Sequence, residues 1–327
     1  MPQMMFRDAL RAALLEEMKR DPTVFVIGEE VGRYGGAYAV TRGLFEEFGA
    51  ERLVDTPISE ASTVGLGVGA AITGLRPVVE LMYVDFVGLA MDQIANQMAK
   101  VRYMTGGQVK VPMVLRTQGG TGRSAGAQHS QSLEAWLAHV PGLRVVMPST
   151  PADAKGLLKT AIRSDDPVVF IEHKALYALK GEVAEGEHLV PFGQARIVRP
   201  GDGLTLVTYS RMVHYAMEAA GTLSKEGIEV EVIDLRTLNP LDMTTVLASV
   251  RKTRRALVLN EAPKTAGFCA ELASRITEDA FDELLAPVSR VAAKDVPVPA
   301  TLLERLSVPS PEEICTEARA LVKRRRK

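Results

Sequence analysis

Thr23-Val-Phe-Val-Ile27 is the stretch that decides the fold class. A short, continuous apolar run of this kind reads as a strand buried on both faces, the form taken in parallel sheets. Before it, Phe6, Leu10, Ala13, Leu14 and Met18 recur at helical spacing, with Arg11, Glu16, Glu17 and Lys19 on the other faces. After it come similar runs at Val78–Met82, Val111–Leu115, Leu143–Met147 and Val168–Ile171. Between the last two, Thr150-Pro-Ala-Asp153 predicts a helix start: Thr150 as N-cap, Pro151 as first helical residue, Asp153 as the acidic third position. Asp166-Pro167 ends that helix. A polar stretch, Lys180–Pro191, has the composition of a linker. The alternation then resumes as strand Leu204–Tyr209, helix Val213–Lys225, strand Val230–Leu235, helix Leu241–Val250, strand Ala256–Asn260 and helix Phe268–Leu285. The expectation is an α/β chain of two doubly wound domains with mostly parallel sheets. Its expected division is 1–180, a linker at 181–195, and 196–327.

Composition excludes several function classes. The 39 Lys and Arg against 40 Asp and Glu leave a net charge of −1, so no nucleic-acid role is expected. The two cysteines, Cys269 and Cys315, stand far apart in no metal-ligand spacing, which fits a reducing cytoplasm. Arg7, Asp8 and Arg11 interrupt the N-terminal region, so no signal peptide is expected, and no membrane partner. The terminal Lys323-Arg-Arg-Arg-Lys327 reads as a frayed, solvated end.

The residue most suggestive of chemistry is Glu60. It closes Asp55-Thr-Pro-Ile-Ser-Glu60 and is followed by the uncharged, small-residue run Ala61–Leu75. A carboxylate opening such a segment sits at the edge of a dry interior. Burial raises a carboxyl pKa, while a helix N-terminus or a cation lowers it. The segment alone leaves two roles open, acid–base group or helix cap. Asp85–Tyr103 is apolar on more than one side through Phe86, Leu89, Ala90, Ile94, Met98 and Val101. That predicts a helix buried in its domain or in a subunit interface, with the interface favoured.

The glycine clusters are weaker signals. Gly65-Leu-Gly67-Val-Gly69 lies inside a helical run and is no dinucleotide fingerprint; Gly119-Gly120-Thr-Gly122 lacks the ending of a P-loop. Gly201-Asp202-Gly203 opens like a thiamine diphosphate–magnesium motif, but Glu229-Val-Glu231 stands where an Asn pair is needed, so it reads as a turn before a strand. Gln128-His129-Ser130-Gln131 follows the polar loop Thr117–Ala127. A histidine there can exchange protons near neutral pH, and a merely hydrogen-bonded one reads the same way. His139 reads as structural.

A set of stretches in order then carries a resemblance. These are Gly28-Glu-Glu-Val31, Asp55–Glu60, Gly74-Leu-Arg-Pro77, Arg102-Tyr-Met-Thr-Gly-Gly107, Ala127-Gln-His-Ser-Gln131, Pro141-Gly-Leu143, Asp153-Ala-Lys-Gly156 and Asp234-Leu-Arg-Thr-Leu238. Together they resemble the β subunit of the thiamine-diphosphate-dependent 2-oxo acid dehydrogenase component, the pyruvate, branched-chain and acetoin group. The resemblance implies a pyrimidine-binding N-terminal domain and a transketolase C-terminal-like second domain. It implies that Glu60 faces the pyrimidine ring nitrogen and favours its imino tautomer, that Ile58, Met82 and Phe86 line the ring pocket, and that His129 serves proton transfer as the acyl group passes to lipoamide. A monovalent-cation loop, suited to K+, maps onto Met113, Ala161, Ile162, Ser164 and Asp166, with Ser164 where Asp is usual. Mg2+ and the diphosphate belong to an α subunit in an α2β2 heterotetramer, and a lipoyl-bearing acyltransferase core is a further partner. Trp136-Leu137 resembles pyruvate-type members, ranking pyruvate or acetoin above branched substrates. The rivals are a stand-alone nucleotide-dependent dehydrogenase, disfavoured by the missing fingerprint, and a non-catalytic assembly subunit, disfavoured by Glu60 and His129.

Overall fold

The structure, a computed structural model, describes residues 2–324. Its two compact units interleave along the chain. One runs to Gly119 and resumes over Trp136–Phe192; the other takes Gly120–Ala135 and the chain from Gly193 on. Elements up to the second crossing are β1 (Gln3–Met5), α1 (Phe6–Arg20), β2 (Val24–Gly28), α2 (Leu44–Phe48), β3 (Leu53–Asp55), α3 (Glu60–Ile72), β4 (Arg76–Leu81), α4 (Val101–Met104), β5 (Val114–Gly119), α5 (Glu134–Ala138), β6 (Arg144–Val146), α6 (Pro151–Arg163), β7 (Val168–His173) and β8 (Lys180–Glu182). Within the first unit the strands run parallel in the order β6-β7-β5-β4-β2-β3.

Register explains the layering. Val26, Val78, Val114 and Val168 are mutual partners across four strands, so their side chains share one face. That face packs on Leu10 and Leu14 of α1 and on Leu157 and Leu158 of α6, all buried. The opposite face carries α3, and closely: a Cβ on Gly67 would lie 2.4 Å from Val79 Cγ2. The small residues of α3 thus let helix backbone approach the sheet. The start of α6 is the expected one, with Thr150 Oγ1 accepting from the Asp153 backbone N–H and Pro151 in the first turn.

Charge joins α1 to α6. Glu16 pairs with Lys155 at 2.6 Å and Lys159 at 2.7 Å, and Glu17 with Arg163 at 2.6 Å. Glu187 accepts from both Lys159 and Arg163, whose hydrogen bonds hold its carboxyl down at about 2, against an ordinary 4.5. A depressed carboxyl contributes stability above its unfolded value and loses it as pH falls through the folded one. Thermal melts from pH 5 to pH 2 are therefore expected to fall less steeply for Glu187→Gln than for the unaltered chain. Added salt should narrow the difference, because Glu187 is exposed. Parallel melting curves for the two proteins would count against it.

Several stretches differ from the sequence reading, which also passed over the short strands β1 and β3. The single helix expected over Asp85–Tyr103 is broken into a 3₁₀ segment Val84–Ala90, a π segment Gln93–Met98 and short α4. Val84, Val87 and Ala90 are buried at every third position, the repeat of a 3₁₀ helix and not of an α-helix. Farther on, Gly142 comes so near the backbone that a Cβ there would lie 2.1 Å from the Ala99 oxygen. Leu89 is 62% exposed in this chain, so of the two burials expected for the stretch, domain interior or subunit interface, the domain interior does not cover it. Next, β5 begins at Val114 and not Val111, because Pro112 has no N–H for the ladder and Met113 N–H turns back to the Val111 carbonyl. Last, the linker opens with β8, which pairs antiparallel with β1.

The rest of the chain forms β9 (Arg196–Arg199), β10 (Leu204–Thr208), α7 (Met212–Ser224), β11 (Val230–Asp234), β12 (Thr237–Asn239), α8 (Met243–Thr253), β13 (Ala256–Pro263), α9 (Phe268–Ala280), β14 (Ser289–Ala293) and α10 (Pro311–Lys323). Its sheet runs β14-β13-β10-β11-β9, parallel except for antiparallel edge strand β9. Leu204, Leu206, Val230, Val232, Leu257 and Leu259 pack on α7 and α10. On the other face the Thr205 hydroxyl bonds Ser249 and Thr253 of α8, both at 2.7 Å. Helix α10 was readable but missed. Ser310 and Glu313 form a reciprocal capping box, followed by Ile314, Cys315, Ala318 and Leu321 at helical spacing. Of the basic end, Lys323 is still helical and residues 325–327 lie outside the described residues. Among the described residues no helix is long and apolar enough to cross a membrane.

Candidate active site

The candidate residues of the first unit gather where β2, β3 and β4 end. Gly28 is the register partner of both Asp55 and Glu80, so three strands stop at one edge, the edge where parallel α/β sheets place ligands. The turn Glu29-Glu30-Val31-Gly32 leaves β2 there and is tied to β3 by Gly32 N–H donating to Asp55 Oδ1 at 2.7 Å. Glu60 is the first residue of α3, and Ser59 is the N-cap. Ser59 makes no side-chain cap bond to the helix, and its hydroxyl donates to Ser62 Oγ at 2.9 Å. Glu60 therefore stands in the first turn as a half-buried carboxylate, where the helix dipole favours negative charge.

Its charge is felt next door. Burial, and then the negative charges of Glu60, Glu30 and Glu80, push the Glu29 carboxyl up. Glu29 was quoted in the sequence only as part of a matching stretch; the fold is what brings it beside Glu60. Ile58, just ahead of α3, is 78% exposed, while Met82 and Phe86 follow β4 and are half-buried. The 3₁₀ segment carrying Phe86 packs on α3, so Ile58, Glu60, Met82 and Phe86 belong to one neighbourhood of elements. Two further aromatic residues were not legible. The Tyr83 ring lies 6.4 Å from Phe86 and 6.2 Å, edge-on, from Tyr38, with Lys174 Nζ 5.0 Å from its centre.

Behind this edge lies a dry ionic network. Arg116 on β5 donates to Glu80 Oε2 at 2.7 Å and, through two nitrogens, to Glu172 Oε1 and Oε2 at 2.6 and 2.8 Å. Gln118 donates to Glu80 Oε1 at 3.1 Å, and Tyr177 OH to Glu172 Oε2 at 2.5 Å. Burial works against charge on Arg116, but Glu172 and Glu80 outweigh it and hold the guanidinium protonated. Burial pushes Glu172 up against the pull of Arg116.

The proposed cation ligands also converge, around the C-terminus of α6, and their oxygens are engaged. The Ile162 and Ser164 carbonyls each accept from Arg76 Nη1 at 3.0 Å, and Arg76 Nη2 donates to Asp165 at 2.8 Å. The Met113 carbonyl accepts from Val168 N–H, the Ala161 carbonyl from Ser164 N–H, and the Asp166 carbonyl from Ser164 Oγ. The Asp166 carboxylate meets Arg102 and Arg144. The cation that meets this helix end is the Arg76 guanidinium, and the carbonyl oxygens it bonds each carry a second lone pair.

His129 is not part of that neighbourhood's unit. It lies on the Gly120–Ala135 segment, which clusters with the second unit. Its N–H donates to the Gly126 carbonyl at 3.3 Å, and Gly120 N–H donates to the Gln131 carbonyl at 2.9 Å, closing the loop's base. At the segment's end Glu134 accepts from Tyr209 OH at 2.7 Å, and burial raises the Glu134 carboxyl.

Comparison with known proteins agrees with both units. The transketolase pyrimidine-binding domain matches residues 2–180 and the transketolase C-terminal domain residues 193–314. The chain is 48% identical over 326 residues to the acetoin:2,6-dichlorophenolindophenol oxidoreductase subunit beta of Cupriavidus necator, covering 96% of each. It is 50% identical over 316 residues to the pyruvate dehydrogenase E1 component subunit beta of Porphyra purpurea, again covering 96% of each. A split-gene transketolase solved as an inactive β4 tetramer shares the fold, with a TM-score of 0.80 at 22% identity and 99% of both chains covered. The chain belongs to the family of transketolase-like β subunits of 2-oxo acid and acetoin dehydrogenases.

Proposed function

We propose that this chain is the β subunit of a thiamine-diphosphate-dependent 2-oxo acid dehydrogenase. It would act as one half of an α2β2 heterotetramer that decarboxylates pyruvate or a related 2-oxo acid and passes the acyl group to lipoamide. The observation that carries the reading is Glu60 in the first turn of α3, its charge raising Glu29, beside exposed Ile58 at the carboxyl edge of the sheet. That edge fits an aminopyrimidine: an acid–base carboxylate for a ring nitrogen, and apolar walls for the ring from Ile58, Met82 and Phe86. When bound, thiamine diphosphate supplies the electron sink for cleaving the bond beside a carbonyl. Glu60 would hold and return a proton at the ring nitrogen, and His129 would deliver one as the acyl group leaves for lipoamide. Mg2+ and the diphosphate fall to the α partner. A structural K+ would have to share the Ile162 and Ser164 carbonyls with Arg76. The division into 1–180, 181–195 and 196–327, docking of an acyltransferase core on the second domain, and a cytoplasmic setting belong to the same proposal. Acetoin is the alternative substrate, favoured by the Cupriavidus relative. Assay of the complex reconstituted with its α partner, using pyruvate, branched 2-oxo acids and acetoin in turn, tests the reading. An assembled complex that turns over none of them would sink it.

The isolated chain, by contrast, is expected to bind thiamine diphosphate weakly or not at all. Ile58 of its ring site faces solvent, and the diphosphate and Mg2+ are assigned to the α partner. Calorimetric titration showing tight, magnesium-dependent binding to the chain alone would contradict the division of the site between subunits.

A further inference from the structure

We propose that Glu261 is the positioning residue of His129, an inference that rests on the proton-transfer role given to His129 above. Glu261 lies near the carboxyl end of β13, between β14 and β10, with Leu257 and Leu259 of the same strand wholly buried. Its Oε1 accepts from both the backbone N–H and the hydroxyl of Thr121, each at 2.7 Å. Arg211 Nη1 donates to the same hydroxyl at 2.8 Å and stands 3.8 Å from Oε1. Thr121 is thus clamped between a buried carboxylate and a guanidinium, and charge-assisted bonds of this sort are stronger and more directional than neutral ones.

Thr121 is the first residue inside the loop that Gly120 and Gln131 close, and His129 is two residues from the other side of that closure. Fixing Thr121 to β13 therefore sets where the base of the loop leaves the sheet, and with it the direction of His129. Farther into the loop, Ser124 N–H donates to Glu304 Oε2 at 3.1 Å and Ser124 Oγ to the Thr301 carbonyl at 3.4 Å. The loop covers a cavity of about 190 Å³ lined by Thr121, Ala127, Ser130, Gln131 and Glu261 among others. The buried Ser130 hydroxyl meets no hydrogen-bond partner there among the described residues. Packing beneath the loop is incomplete, so that hydrogen bonds such as those of Thr121 carry more of its placement.

The test compares two activities of the reconstituted complex, turnover coupled to lipoamide and turnover with an artificial electron acceptor. His129→Ala is expected to lower the ratio of coupled to artificial-acceptor turnover by ~10-fold or more, in the range of a lost proton-transfer group. Glu261→Ala is expected to lower the same ratio comparably. The double variant should be no worse than the poorer single, as for residues acting as one unit. Glu261→Gln, which keeps an acceptor oxygen for Thr121, should recover most of the ratio. Should Glu261→Ala fail to assemble with its partner, Thr121→Val replaces it, removing only the hydroxyl that Glu261 and Arg211 share, with a smaller drop expected because the backbone N–H keeps its bond to Glu261. An unchanged ratio in the Glu261 and Thr121 variants, or losses that multiply in the double variant, overturns the proposal while the His129 role stands. An unchanged ratio in His129→Ala overturns both.

Discussion

A complex carrying Glu60→Gln assembles and loses ~10²–10⁴ of its turnover, the usual cost of removing a general acid–base group. The substitution keeps size and shape. Glu60 takes part in none of the salt bridges that join α1 to α6, and Ser59 remains the N-cap of α3. What changes is that an amide neither takes up nor returns a proton. Removing the Glu60 charge also relieves Glu29, whose carboxyl is raised first by burial and then by that charge. The Glu29 carboxyl should therefore titrate lower in the variant, which carboxyl NMR on the isolated chain can follow without any turnover. Near-normal turnover from a correctly assembled Glu60→Gln complex would remove Glu60 from the chemistry.

The largest effect on stability is expected from Arg116→Met. Breaking a buried pair by deleting one partner costs ~3–5 kcal/mol, because the charge left behind has lost its counter-ion and cannot reach water. Here two carboxylates are left behind, Glu80 on β4 and Glu172 on β7, the strands on either side of β5. Burial, which already raises the Glu172 carboxyl, would then act without the opposing pull of Arg116. A raised folded-state pKa gives stability that is present at low pH and lost as pH rises. Arg116→Met should accordingly recover part of its lost melting temperature as the pH of the melts is lowered from about 8 to about 5.5. An unchanged melting temperature, or one equally depressed across that range, would show that the network matters less than its burial implies.

Local signals made much of the fold legible. Thr150, Pro151 and Asp153 mark the start of α6 because capping is settled within one turn. Strands β2, β4, β5, β6, β7, β10, β11 and β13 declare themselves by their apolar runs, whereas the short or edge strands β3, β9 and β14 do not. What failed was decided by contacts distant in sequence. The 3₁₀ and π segments over 84–98 follow from burial of every third residue and from the approach of Gly142 to Ala99, neither visible as helical periodicity. Strand β8, Lys180-Gly-Glu182, has no apolar residue to betray it, and only its partner β1 makes it a strand. At the site, the residues around Glu60 left cap and acid–base group both open, and resemblance to a family tilted the choice. Glu29 could not be singled out, since the charges that raise its carboxyl arrive from its own turn and from β4 and α3. Arg76 went unread as the cation of the α6 terminus because the carbonyls it satisfies lie more than eighty residues on.

The interleaving of the two units constrains recombination with relatives. A chimera joined at the obvious boundary, Phe192 to Gly193, would take its second unit from one parent but residues 120–135 from the other. Tyr209 and Glu261 would then meet a Glu134 and a Thr121 of foreign origin. Exchanging substrate preference or partner choice by domain grafting thus calls for three junctions and not one, with the inserted segment travelling alongside the sheet that holds it.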